Sequence, residues 1–128
     1  MAKIFRVIIP VPDIDRAQEF YPSLLQQPGQ AVSPGRRYFK CGDVVLACYD
    51  PQADGDTQEA LPNRHHTYFA VDSLEGFFER SKLAGAQIET EIKSQPWGET
   101  SFYCRDPFGN KLCFVDEATV FTGGGYFT

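Results

Sequence analysis

The chain has 128 residues, a net charge of −5, 42% hydrophobic residues and 14% aromatic ones. That length is one ordinary domain, able to bury about two-thirds of the surface its unfolded form exposes, and the apolar content excludes a disordered chain. The acidic balance argues against nucleic acid, which requires a basic surface, and no apolar run approaches the ~18 residues of a membrane span.

The start, Met1 to Arg6, meets Pro10 and Asp13 too soon to hold the apolar core of a signal peptide, so a cytoplasmic protein is expected. Residues 4–11 form a β-branched apolar stretch ending at Pro12, which predicts a buried strand. Ile14, Ala17, Tyr21, Leu24 and Leu25 then recur at helical spacing, with Asp13 placed to cap the start. Pro22 interrupts this pattern, and the turn after it is expected to be irregular. Short strands are predicted over 30–32, 37–41 and 44–49, separated by Ser33-Pro34-Gly35 and Gly42-Asp43. Residues 50–63 are polar and broken by Pro51, Gly55 and Pro62, as in an exposed connector.

Past the connector the order of elements begins again. A strand over 66–71 precedes a helical face of Leu74, Phe77, Phe78 and Ser81, which stops at Gly85. Asp72 and Glu75 have the spacing of a capping box. Strands are predicted over 87–92, 101–105 and 111–115, with Asp106-Pro107-Phe108-Gly109-Asn110 as the last turn. An offset of sixty residues lays Arg6 on His66, Val11 on Val71 and Ile14 on Leu74. The expected fold is therefore α+β: a single domain over 1–128, with modules at 1–50 and 64–118, a connector at 51–63 and a tail at 119–128. Two tandem βαβββ modules of this kind form a curved mixed sheet whose concave face suits a small ligand.

Cys41, Cys48, Cys104 and Cys113 contain no CxxC pair, and they read as reduced, small apolar residues within strands rather than a zinc site. The tail, Phe121 to Thr128, combines three glycines with three aromatics and is expected to dock, over its own concave face or across a subunit interface.

Three stretches carry a family likeness: Ile9-Pro10-Val11-Pro12-Asp13-Ile14 with Phe20-Tyr21, His66-Thr67-Tyr68-Phe69-Ala70-Val71-Asp72, and Asp106-Pro107-Phe108-Gly109-Asn110-Lys111-Leu112. In this order the sequence resembles the vicinal oxygen chelate superfamily, which includes glyoxalase I, bleomycin-resistance proteins and extradiol dioxygenases. The resemblance implies a divalent metal held by His and Glu side chains of the inner strands. Carried over position by position, the first-strand histidine falls on Arg6, which cannot deprotonate to coordinate, and the first-module carboxylate on Leu46, which has no donor. The second histidine is His66, and the final glutamate is Cys113, a ligand for softer metals. His66 and Cys113 are thus the only donors left from this set, and no cofactor is expected.

Strand parity, taken with the family positions, groups Arg6, Ile8, Leu46, Cys48, His66, Tyr68 and Cys113 as ligand-binding residues. Arg6 and His66 would hold an anionic or carbonyl group; alternatively, Arg6 pairs with an acid such as Glu99 and closes the cup. Trp97 either rims the cup or covers a core edge. The acidic balance suits a cationic ligand, whereas Arg6 puts positive charge where the cup is expected. The expected function is metal-independent binding of a small molecule, such as an antibiotic, by a homodimer. The alternative is a lyase, isomerase or dioxygenase that keeps a divalent metal through a non-standard ligand set.

Overall fold

A computed structural model describes residues 1–123. The first module runs β1 (Arg6–Pro10), α1 (Ile14–Leu25), β2 (Gln30–Ser33), β3 (Arg36–Cys41) and β4 (Val44–Tyr49). The second runs β5 (Thr67–Val71), α2 (Leu74–Ala84), β6 (Gln87–Ile88), β7 (Lys93–Ser94), β8 (Thr100–Arg105) and β9 (Lys111–Asp116). Each module is a mixed sheet with its helix on one face. The strand orders are β1-β4-β3-β2 and β5-β9-β8-β6, with β7 joined to β8. In both, the first and last strands are parallel neighbours and the rest antiparallel, so the doubled design of the sequence is a doubled topology. The sheet is in two parts, with β1 and β5 at their edges.

Helix starts follow local chemistry. The Asp13 carboxylate accepts from Arg16 N–H, as expected, and satisfies one of the donors that a helix start leaves free. At α2 the cap is Ser73 rather than Asp72: its hydroxyl accepts from Gly76 N–H at 3.3 Å. Pro22 does not disturb the helix as expected. Regular helix runs to Leu25, because a proline this near the end removes a single bond, and Gln26 closes the turn in the left-handed region with its N–H on Pro22 O.

The strand predicted over 87–92 is broken. Glu89 and Thr90 both aim their N–H at Tyr103 O, 2.9 and 3.2 Å away, while Thr90 Oγ1 accepts from Tyr103 N–H. Two residues thus oppose one, as in a bulge, and β6 and β7 flank it as separate short strands.

One apolar core serves both modules. Phe69, Phe77 and Phe102 stack on Phe114 with ring centroids 5.0 to 5.4 Å apart, and Phe78 meets Phe102 edge-on. The helices lie side by side, with Arg16 donating to Ala84 O at the end of α2 and Arg80 to Leu24 O near the end of α1. These cations complement the carbonyl ends of the two helix dipoles.

The turn predicted at 106–110 is a buried clasp. Asp106 accepts from Phe108 N–H, Asn110 N–H, the Asn110 amide and the Tyr21 hydroxyl, all within 2.9 Å. The Asn110 amide also donates to Pro10 O at 2.7 Å, and Asn110 Oδ1 accepts from Asn63 N–H. The motif that carries much of the likeness thus ties the second module to α1 and β1 of the first.

Candidate ligand site

Register decides which side chains share a face. Val7 pairs with Leu46 and Ile9 with Cys48, and Ile9, Leu46 and Cys48 are buried in the helix-facing core. Leu46 and Cys48 therefore do not share a face with Arg6, contrary to expectation. The neighbouring register pairs Arg6 with Val45 and Ile8 with Ala47, which leaves Arg6, Ile8, Val45 and Ala47 on the face away from the helix. The error was one residue, and one residue reverses a strand's faces.

In the second module Tyr68 pairs with Cys113 and Cys113 with Tyr103, so these three share the helix-free face, with Ser101 and Val115 one step along. His66, just before β5, joins them: its ring lies 4.8 Å from Tyr103 and 6.1 Å from Tyr68, centroid to centroid. Tyr68 and Cys113 correspond in register to Ile8 and Ala47 of the first module, so Ala47, not Leu46, is the counterpart of Cys113.

Arg6 does not close the cup against Glu99. Its guanidinium lies over Phe5 and Tyr38, 5.0 and 5.4 Å from the ring centres, both in the first module. Glu99 instead accepts from Trp97 Nε1–H at 2.7 Å and from Phe121 N–H at 2.9 Å. The charges acting on His66 are Glu89, Lys111 and Arg105, all of the second module.

His66 Nε2 is buried without a hydrogen-bond partner among the described residues, and Glu89 Oε1 at 3.9 Å is beyond hydrogen-bonding distance. Burial pushes the imidazole pKa down, while Glu89 draws it up. The bulge after β6 brings Glu89 here, and Arg105 holds it at 2.9 Å. A depressed histidine pKa means that the folded protein holds the neutral ring. Its stabilising contribution is present above the unfolded value of about 6.5 and is lost as pH falls from there through the folded value. An NMR titration is expected to place the His66 midpoint below 6.5; a midpoint at or above it would contradict this environment.

Burial likewise pushes the Cys113 thiol up to about 11, against the opposing pull of hydrogen bonds from Tyr103 and Ser101. Tyr103 rises to about 12, through burial first and then the neighbouring Cys113 and Tyr68. Cys104 rises to about 12 and Cys48 further, again mainly through burial. These thiols are poor nucleophiles and poor thiolate ligands. Iodoacetamide at neutral pH is expected to label the half-buried Cys41 before the buried Cys48, Cys104 and Cys113, read by peptide mass spectrometry. Early labelling of Cys113 would contradict the burial of this face.

Among the described residues no three His, Cys, Asp or Glu side chains come together as a group able to hold a metal ion. His66 and Cys113 share a face, but the counterpart positions in the first module carry Arg6 and Ala47. This donor set does not fit a divalent metal, which in a catalytic site usually takes three protein ligands.

Two cavities flank these residues. One of about 390 Å³ on the second module is walled by Tyr68, Trp97, Val115, Val120 and Phe121, with Glu99 in its lining. Trp97 thus rims this cavity, as one of the two readings has it, and Val120 and Phe121 at the start of the tail line it too. Residues 124–128 of the tail lie outside the described residues. The other, about 590 Å³, opens between the two modules, where Leu46 joins Val7, Leu25, Phe69 and Phe77. Its lining includes Gln27, Lys40, Thr67 and Tyr68, and the Gln27 amide exchanges two bonds with the Lys40 backbone.

Glu89, Arg105 and Tyr103 had no part in the sequence reading of the site. The alternation of β8 against Cys113 was the available signal for Tyr103 and Arg105. Glu89 was not accessible in this way, since its aim depends on a bulge.

Comparison with known proteins agrees with this architecture. A family model described as the Glyoxalase/Bleomycin resistance protein/Dioxygenase superfamily matches residues 3–114. Among solved structures, the chain is similar to a glyoxalase-related enzyme from Fulvimarina pelagi, at 18% identity over 97% of this chain and 94% of that one, with a TM-score of 0.78. It is also similar to a lactoylglutathione lyase from Agrobacterium tumefaciens, at 22% identity over 94% and 98% of the two chains, with a TM-score of 0.72. A glyoxalase/bleomycin resistance protein from Albidiferax ferrireducens T118 shares 24% identity over 88% and 98%, with a TM-score of 0.74. At these identities the likeness concerns the fold. Comparison with curated proteins finds no match.

Proposed function

The chain belongs to the Glyoxalase/Bleomycin resistance protein/Dioxygenase superfamily, and from that premise we propose that it binds a small organic molecule without a metal. One observation carries this reading: the four positions where the family's ligands are expected hold Arg6, Ala47, His66 and Cys113, which do not make a metal centre. The same face instead offers an aromatic cavity. Such a cavity binds by burial of apolar surface plus a few polar points.

On this reading Tyr68 lines the site in the second module, with His66 and Cys113 beside it on the same face. Arg6 and Ile8 occupy the equivalent face of the first. The protein is a cytoplasmic homodimer. In favour of pairing, Ile4, Phe5 and Ile8 on and beside the edge strand β1 are 73%, 62% and 38% exposed, an apolar surface suited to a second copy. No helix among the described residues is long and apolar enough to cross a membrane.

The test is a thermal-shift screen over antibiotics and small carboxylates with a chelator present. A compound at a hundredfold excess over its Kd adds about 2.7 kcal/mol of stability, which corresponds to a rise of several degrees in Tm. The expected result is a compound that raises Tm in chelator and loses the effect in Tyr68→Ala. Stabilisation that appears only with added divalent metal would favour a metal-dependent member and overturn the proposal.

A further inference from the structure

Among the described residues the 390 Å³ cavity on the second module has one charged lining residue, Glu99. Around it stand three large aromatic side chains that are open to solvent: Tyr68 is 59% exposed, Trp97 47% and Phe121 51%. Half-exposed aromatics gathered round a single carboxylate form a ligand-ready surface rather than a packed core. Each Glu99 oxygen accepts one bond, from Trp97 Nε1–H and from Phe121 N–H. Both donors are neutral, so they fix the carboxylate in place and leave its charge uncompensated. Lys93 faces Ser101 across the β7–β8 pair and does not line the cavity. Arg6, which could have repelled a cation, lies over rings of the first module.

We propose that this cavity takes an organic cation with an apolar body, such as a quaternary or tertiary ammonium compound. The head group would sit among the Tyr68, Trp97 and Phe121 rings with its charge toward Glu99. Aromatic faces attract such ions through the ring quadrupole, and more strongly when the ion sheds water. The fixed carboxylate adds selectivity against neutral and anionic molecules of the same shape. This inference rests on the reading of the protein as a small-molecule binder and names the chemical class of the ligand.

Trp97 is the only tryptophan in the sequence, so its fluorescence reports from the wall of the site. Three probes of nearly one shape separate charge from size: choline, 3,3-dimethylbutanol and 3,3-dimethylbutanoate. The proposal expects a saturable change in emission with choline, at least about tenfold weaker binding of the alcohol, and weaker binding still of the carboxylate. Glu99→Gln should reduce choline affinity about tenfold and narrow its advantage over the alcohol to what the rings alone supply. Because Glu99→Gln also weakens the acceptor that holds the Phe121 N–H, Phe121→Ala serves as a second variant. It keeps the backbone bond to Glu99 and should weaken choline more than the alcohol. Equal affinity for the three probes, preference for the carboxylate, or no saturable response to choline would each overturn the cation assignment. Equal affinity or preference for the carboxylate would leave small-molecule binding standing, whereas an empty thermal-shift screen would remove the broader reading itself.

Discussion

Asp106→Ala is expected to destabilise the protein by about 3–5 kcal/mol, measured as a lowered urea midpoint. The Asp106 carboxylate is 3% exposed and accepts four hydrogen bonds, from two backbone N–H groups, one amide and one hydroxyl. Truncation leaves all four donors in the interior, where each unmade bond costs about 1–3 kcal/mol before relaxation. Burial and the neighbouring Asp106 charge also hold the Tyr21 phenol well above its ordinary pKa, so Tyr21 remains a hydrogen donor. With a total stability of about 5–15 kcal/mol for an ordinary domain, such a loss removes a large share of it. Asp106→Asn retains one acceptor and should fall between wild type and alanine. A change below about 1 kcal/mol in the alanine variant would mean that the clasp does not hold the modules together.

Phe114→Ala should cost about as much, roughly 3–5 kcal/mol, by a different route. The Phe114 ring is fully buried in β9 and stacks on Phe69, Phe77 and Phe102. Its removal forfeits the transfer free energy of a large apolar side chain and leaves a cavity that three flat neighbours fill poorly. Phe114→Leu keeps most of the volume and should lose markedly less, although its shape differs. Unfolding curves of the two variants make the comparison. Equal losses would point to ring stacking rather than volume as the main contribution.

The fold was largely legible because the doubling is written in hydrophobic period: Ile14, Ala17, Tyr21 and Leu24 mark one helix, Leu74, Phe78 and Ser81 the other, and all seven are buried. Strand β4 was placed to the residue, since turn residues bound it on both sides. The strand over 87–92 was not legible, because the Thr90 hydroxyl replaces a backbone partner and the bulge leaves no pattern in the sequence. Which candidate residues share a face was legible in part. His66, Tyr68 and Cys113 came together on one face as expected, and Arg6 and Ile8 took the same kind of face in the other module.

Leu46 and Cys48 fell on the wrong side because family positions, not the ladder itself, had chosen the parity of β4. Hydrophobic alternation could not correct this: Ala47, on the opposite face, is fully buried as well. Glu99 shows a different limit. Trp97 Nε1–H reaches it from only two residues away, but its other partner, Phe121 N–H, depends on how the chain returns after β9, which local sequence does not encode. The same return places Phe121 on the cavity wall with Trp97, where Glu99 lines the cavity and is not paired with Arg6 as one of the two readings had it.

The proposal of metal-independent binding has a direct test in elemental analysis of protein purified without chelator and quantified per chain. Iron, manganese, nickel and zinc are each expected far below one equivalent. One retained equivalent of any of them, lost on His66→Ala, would contradict the proposal.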